Sequence, residues 1–121
     1  MKIKCVKTAI DNPDRGVINS ELQEYLLIND VFWVFGLRFF RNMTYVYIFD
    51  NNHLFEAPLE LFEVIDDTIP NEWNIKVWEK GEVTLWPSLF YKDEFIENFA
   101  ERESNERLLF EELRLKIEQQ T

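Results

Sequence analysis

The chain contains one histidine, His53, and one cysteine, Cys5, the side chains that most often supply nucleophilic, acid–base or zinc chemistry. A zinc site built on one residue of each kind would need carboxylates for its other ligands, which is unusual. His53 follows the turn-forming pair Asn51-Asn52, as a hairpin residue does. Cys5 alternates with lysines, which is typical of a small core residue in a strand. We therefore predict no catalytic role for either residue and no bound metal.

The glycines and the paired carboxylates form no recognisable catalytic motif. Gly16, Gly36 and Gly81 are too scattered to build a dinucleotide- or phosphate-binding loop. Pairs such as Asp66-Asp67 and Glu111-Glu112 are neighbours in sequence, whereas hydrolytic acid–base pairs converge on a cleft from different elements. The sequence thus predicts no catalytic residue, no cofactor and no enzyme activity. An enzyme would need a pocket that holds His53 or several convergent carboxylates.

The charge balance is strongly acidic. The 121 residues include 23 acidic and 13 basic side chains, which gives a formal net charge of −10 at pH 7. Residues 50–82 alone hold nine acidic and two basic residues. A nucleic-acid-binding surface must be basic to neutralise phosphates, and an anionic membrane surface would repel this chain. The charge therefore excludes nucleic-acid and membrane partners and favours a basic protein partner, which long-range attraction would recruit.

Three of the four tryptophans lie within fourteen positions of the acidic second half. One interpretation is a small core that seals the C-terminal helices onto the rest of the protein. The other is a binding surface, because tryptophan is enriched at interface hot spots. In the second interpretation the carboxylates form the rim, and Trp73 or Trp78 lies nearer the centre. The candidate partner-binding residues are Glu72, Trp73, Trp78, Glu79, Glu82 and Trp86.

Hydrophobic periodicity predicts strands first and helices afterwards. Alternating or β-branched segments predict strands at 2–7, 25–28, 31–40, 44–49, 53–56 and 61–65, with a turn at Arg41-Asn42. In the segment 44–49, Tyr45, Tyr47 and Phe49 should share one face of the strand, with Val46 and Ile48 on the other. A further hairpin, 73–78 with 82–86, surrounds Gly81, and the apolar residues near Asp93 change to a helical spacing. A last helix is predicted from Ser104 to about Gln119, with an apolar stripe of Leu109, Phe110, Leu113 and Ile117.

This order of elements is typical of the α+β class. We predict a single domain, residues 1–121. Residues 1–66 would form a small antiparallel SH3-like β-barrel, and residues 67–121 the hairpin and the C-terminal helices. The helices would cover the surface of residues 31–35, and Trp33 would lie in the core.

Several segments resemble a pattern found in small uncharacterised bacterial proteins. In that pattern a strand ends in Phe-Glu-Val, here residues 62–64, and Ile-Pro-x-x-Trp follows, here residues 69–73. A glycine-containing hairpin and a proline come next, here Gly81 and Pro87. The resemblance covers most of the chain, and its motifs are structural. It implies an SH3-like front half, no catalytic residue, and a role as an immunity-type or phage-borne accessory protein.

Two functions remain open. The first is a non-catalytic protein-binding module, such as a stoichiometric inhibitor of a basic protein. The second is an assembly subunit, either a homodimer or a phage-type accessory protein. A lone cysteine and the lack of an apolar signal segment at the start favour the cytoplasm. The longest apolar run, residues 31–37, is too short to span a bilayer.

Overall fold

The computed structural model describes residues 1–8, 10–12, 16–18, 26–50, 53–101 and 104–119. The predicted α+β class is confirmed, because strands precede two C-terminal helices. Neither helix is both long and apolar enough to cross a membrane. The strands are β1 (Lys2–Cys5), β2 (Ile10–Asn12), β3 (Gly16–Ile18), β4 (Val31–Trp33), β5 (Gly36–Phe40), β6 (Met43–Asp50), β7 (His53–Pro58), β8 (Phe62–Asp66), β9 (Trp73–Val77) and β10 (Val83–Pro87). The helices are α1 (Phe95–Ala100) and α2 (Ser104–Glu118), and short 3₁₀ turns form at Leu59–Leu61 and Ser88–Tyr91.

Two antiparallel sheets organise the chain. The smaller sheet has the order β4-β1-β8, and the larger has the order β7-β6-β5-β10-β9, while β2 and β3 pair with each other. No closed barrel is found among the described residues, contrary to the prediction for residues 1–66. The predicted hairpin of β9 and β10 is confirmed, but β10 also pairs with β5. The hairpin therefore extends the larger sheet instead of forming a separate unit.

The predicted strand at residues 31–40 is two strands in two different sheets. β4 pairs with β1, whereas β5 pairs with β6 and β10. Between them the backbone N–H of Val34 donates to the carbonyl of Met1, and that of Phe35 donates to the carbonyl of Tyr47. The chain thus crosses from one sheet to the other here. This crossing explains the uninterrupted apolar run, because each half is covered by a different set of residues.

Two turns show how the sequence sets the strand pairing. Arg41 and Asn42 both have positive φ, 50° and 64°, and Phe40 pairs with Met43 across them, as in a type I′ hairpin. The predicted turn at these two residues is confirmed. The predicted strand at 25–28 is wrong for residues 26–28, and Tyr25 lies outside the described residues. Asn29 has a φ of 75°, and the N–H of Asp30 donates to the carbonyl of Leu27, which closes a turn there.

The larger sheet has a hydrophobic core on each face. Val46 and Ile48 of β6 point into the first core, between the two sheets. Tyr47 and Phe49, on the opposite face as predicted, pack against the second core under the helices. The fully and partly buried residues of this second core include Phe35, Phe49, Phe90, Phe95, Phe99, Phe110, Leu113 and Ile117.

The helices cover only part of the surface predicted for them at residues 31–35. Phe35 is buried beneath them, and Trp33 is half-buried at the edge of the second core. Phe32 and Val34 instead lie in the first core. Residues on this segment alternate between the two cores, so the helices can contact only one face of it.

Candidate functional site

The six candidate partner-binding residues all belong to the β9–β10 hairpin or its flanks, but they do not form one cluster. Glu72 precedes β9 and lines a cavity of about 400 Å³ beside Glu112 and Lys116 of α2. Glu79 and Glu82 lie at the opposite end, on either side of Gly81, whose φ of 87° favours glycine. The five-residue strand β9, roughly 17 Å long, separates the two ends. The predicted carboxylate rim is therefore divided between two places.

The three tryptophans lie on different faces of the larger sheet. Trp73 is only 8% exposed and belongs to the first core. Trp86 packs against the second core, where it contacts Tyr47 and Phe90 edge-on. Trp78 is half-buried near the tip of the hairpin, 6.2 Å from Trp86 between ring centroids. Of the three, Trp78 alone lines the cavity at the hairpin tip.

A chain of hydrogen bonds holds Trp78 in place. Its indole N–H donates to the hydroxyl of buried Thr84 over 3.1 Å. The Thr84 hydroxyl and the Tyr91 phenol oxygen are 2.7 Å apart, and the phenol donates to the carbonyl of Asn74 over 2.8 Å. The ammonium of Lys76 lies 3.8 Å from the centroid of the Trp78 ring, a cation–π contact. These contacts together hold the indole at the tip of the hairpin.

The tip of the hairpin forms an open cavity of about 540 Å³. It is lined by Lys76, Val77, Trp78, Glu79, Lys80 and Glu82. Two lysines oppose two glutamates here, so the cavity carries mixed charge. Beside it Ile75 and Val77 of β9 are 68% and 69% exposed. The sequence analysis did not select these two residues, although their alternation with Asn74 and Lys76 places them together on one face of the strand.

A polar cluster crosses three strands of the larger sheet. Arg38 of β5 donates Nε–H and Nη2–H to the two carboxylate oxygens of Glu56 in β7, over 2.7 and 2.6 Å. The hydrogen bond to Glu56 raises the pKa of the Arg38 guanidinium. Its Cζ atom also lies 4.5 Å from the ring centroid of Tyr45 in β6. Both carboxylate oxygens are engaged, so Glu56 ties β5 to β7.

Tyr47 lies beside this ion pair, and its ionisation is suppressed. Burial raises the pKa of its phenol far above the ordinary value, and the carboxylates of Glu56 and Glu82 raise it further. The folded protein therefore keeps the Tyr47 phenol neutral. The sequence signal for the cluster was the spacing of Tyr45 and Tyr47 on one strand face, but nothing local identified Arg38 and Glu56 as their neighbours.

The free energy of unfolding at alkaline pH should depend on Tyr47. Because its folded pKa exceeds its unfolded value of about 10, its contribution to stability is complete below pH 10 and is lost as the pH rises further. The loss approaches about 1.4 kcal/mol per pH unit, since only the unfolded chain releases the proton. Urea titrations between pH 8 and 12 should show a shallower decline for Tyr47→Phe than for the wild type. Equal slopes would show that Tyr47 ionises as readily in the folded protein as in the unfolded chain.

Cys5 and His53 lie apart from these clusters. Cys5 is fully buried in the first core, as predicted, and burial raises the pKa of its thiol, which disfavours the reactive thiolate. His53 is exposed at the start of β7, where it pairs with Asp50 across the hairpin. Asn51 and Asn52, the predicted turn, lie outside the described residues. In the described part of the chain, no three His, Cys, Asp or Glu side chains come together as a metal site.

Comparisons with known proteins leave the chain without an assigned family. No family model matches it, and neither a curated protein nor a solved structure matches it. The resemblance to small bacterial proteins therefore stays a prediction.

Proposed function

We propose that this chain is a non-catalytic protein-binding module, most concretely an immunity-type stoichiometric inhibitor of a basic protein. The observation that supports the proposal is the exposed apolar side of β9. Ile75 and Val77 are about two-thirds exposed, and β9 is an edge strand that pairs with β10 alone among the described strands. Unpaired edges with exposed apolar side chains are sites where sheets accept partner chains.

The surroundings of β9 have the composition of a protein interface. Interfaces combine an apolar, aromatic centre with a polar rim. Ile75 and Val77 supply apolar side chains on one face of β9, the Trp78 indole lies against Lys76 and Thr84 on the other face, and Glu79 and Glu82 supply carboxylates at the hairpin tip. The net charge of −10 would attract a basic protein over long range and raise the association rate. The single buried thiol of Cys5 suits a reducing compartment, so the cytoplasm is the proposed location.

The proposal is tested with a partner captured from the native host and measured by surface-based kinetics. Reversing two charges with Glu79→Lys and Glu82→Lys should lower the association rate about tenfold at low salt. The wild-type rate should fall as salt rises from about 0.05 to 0.5 M, because surface charges are screened. Trp78→Ala should mainly raise the dissociation rate.

A matched control for the charge reversal is Asp93→Lys with Glu97→Lys, two exposed positions of which the first precedes α1 and the second lies within it. This pair changes the net charge equally but lies on a different element, so its association rate should stay closer to the wild type. If both pairs of substitutions lower the association rate equally, the net charge sets that rate and the position of the charges on the hairpin does not. If the association rate does not change with salt, and none of these substitutions changes either rate, the proposal is wrong.

A second candidate function, an assembly subunit, is favoured by the mixed charge at the hairpin tip. A two-fold interface brings the same surface of both copies together. Lys76 and Lys80 of one copy could then face Glu79 and Glu82 of the other. Light scattering separates the two functions, since the module should have the chain mass of 14.7 kDa and a homodimer twice that mass.

A further inference from the structure

The backbone of β9 presents its hydrogen-bonding groups at two positions of the open edge. In an antiparallel pair of strands, opposite residues alternate between those that exchange N–H···O=C bonds and those that do not. The N–H of Trp78 donates to the carbonyl of Glu82 over 2.8 Å, so these two residues form a hydrogen-bonded pair. Counting back along the regular register with β10, Ile75 and Val77 fall in pairs of the other kind. Their N–H and C=O groups therefore point away from β10, toward the open edge.

The two faces of β9 differ in their chemistry. Ile75 and Val77 share one face, and each side chain is about two-thirds exposed. Lys76 lies between them on the opposite face, where its ammonium is 3.8 Å from the centroid of the Trp78 ring. None of the ion pairs among the described residues includes Lys76. A strand added to this edge would therefore meet apolar side chains on one face and an unneutralised positive charge on the other.

The edge of the smaller sheet is a poorer site for an added strand, although Val64 and Ile65 of β8 are 40% and 48% exposed. Ile65 forms a β-bulge, because its neighbours Val64 and Asp66 pair with consecutive residues of β1. A bulge interrupts the regular alternation of a strand and turns its edge away from an incoming chain. The register of β9 with β10 contains no such shift. Strand addition therefore favours β9.

A second copy of the chain, paired strand to strand, does not complete this surface. Three two-fold registers pair the outward-facing residues of the two copies: Ile75 with Ile75, Ile75 with Val77, or Val77 with Val77. Lys76 then lies opposite Asn74, Lys76 or Trp78 of the other copy, respectively. None of these side chains is a carboxylate, so none neutralises the charge of Lys76. The complementary charge must come from a different polypeptide.

We propose that β9 receives an edge strand of the basic partner, in which two β-branched apolar residues flank one acidic residue. The apolar pair would lie beside Ile75 and Val77, and the carboxylate would lie opposite Lys76. The inference rests on the proposed function, and it names the element with which the partner docks on the same hairpin. Glu79 and Glu82 at the tip attract the partner over long range, whereas the strand makes the close contact.

The test uses the full-length ¹⁵N-labelled protein and the synthetic heptapeptide Lys-Thr-Val-Glu-Val-Thr-Lys. Its pattern reads the same in both directions, so it fits β9 in a parallel or an antiparallel orientation. In the free protein, the amide protons of Ile75 and Val77 should exchange rapidly, whereas those of Asn74 and Lys76, which face β10, should exchange slowly. At a free peptide concentration about nine times the dissociation constant, exchange at Ile75 and Val77 should slow about tenfold.

Two further peptides test the side chains at about 0.15 M salt, where long-range attraction is largely screened. Replacing the central glutamate of the peptide with lysine should weaken binding about three- to tenfold, because two positive charges then lie opposite each other. Replacing both valines with serine should also weaken binding. Lys76→Glu should reverse the preference between the glutamate and lysine peptides. The matched control Lys7→Glu, at an exposed position beyond β1, changes the net charge equally and should leave that preference unchanged.

Unchanged exchange rates at Ile75 and Val77 would overturn the inference, as would equal binding of the glutamate and lysine peptides or a preference that persists in Lys76→Glu. These results leave the proposed function intact if the Glu79 and Glu82 reversals still slow association of the captured partner. Protection of Ile75 and Val77 before any peptide is added, together with a doubled mass in light scattering, would instead assign the edge to a second copy. The proposed function fails separately, when neither salt nor the hairpin substitutions change the binding rates of the captured partner.

Discussion

Replacing Phe110 with alanine is expected to lower the free energy of unfolding by about 3–5 kcal/mol. Phe110 is fully buried in the second core. Its ring centroid lies 5.0 Å from those of Phe49 and Phe99 and 5.2 Å from that of Phe35. These rings belong to the sheet and to α1, so they cannot collapse easily into the space that the substitution leaves. A loss of this size is a large part of the 5–15 kcal/mol typical of a domain.

Chemical denaturation of Phe110→Ala and of a control on the same helix measures this loss. Leu108 is exposed on α2, so Leu108→Ala should change the stability by no more than about 0.5 kcal/mol. A loss below about 1 kcal/mol for Phe110→Ala would mean that α2 does not pack on the sheet as the structure shows.

Replacing Gly36 with alanine is expected to cost about 1–3 kcal/mol, because the site has no room for a methyl group. A Cβ at this position would lie 2.8 Å from Cδ1 of Trp86 and 3.4 Å from the carbonyl oxygen of Leu85. Trp86 cannot simply move away, since its ring is surrounded by Tyr47, Trp78 and Tyr91. The glycine therefore lets the indole lie against the backbone of β5.

A double-mutant cycle isolates this contact. In the Trp86→Ala background the obstructing ring is absent, so adding Gly36→Ala should cost much less than it does in the wild type. Denaturant titration of the four proteins gives the coupling energy. If Gly36→Ala is equally costly in both backgrounds, the cost arises from the strand backbone and the close approach of Trp86 is not its cause.

Local signals predicted the elements that depend on local chemistry. The turn at Arg41-Asn42, the hairpin around Gly81 and the apolar stripe of α2 were all identified from residue type and spacing. The crossing at residues 34–35 was not, because an apolar run looks the same whether one strand is covered on both faces or two strands belong to different sheets. The distinction depends on β1 and β10, which are distant in sequence.

The sequence predicted which stretch of the chain holds the candidate site, but it did not predict how the residues of that stretch are arranged on the surface. Alternation places Trp73 and Trp78 on opposite faces of β9, yet sequence alone does not show which face the other sheet covers. The exposure of Val64 and Ile65 follows from the position of β8 at an edge, and strand order is a tertiary property. The sequence therefore indicated the acidic, aromatic second half but not the division of its residues among two cores and two edges.

The alternation along β6 also determines how the larger sheet is aligned. Val46 and Ile48 fill one core, and Tyr47 and Phe49 pack against the other. A slip of β6 by one residue would exchange the two sets, forcing aromatic rings into the space shaped for aliphatic side chains and leaving voids on the opposite face. In a sheet with one side facing solvent, only the buried face opposes such a slip. Here both faces resist it, so strand register is specified twice by the same four side chains.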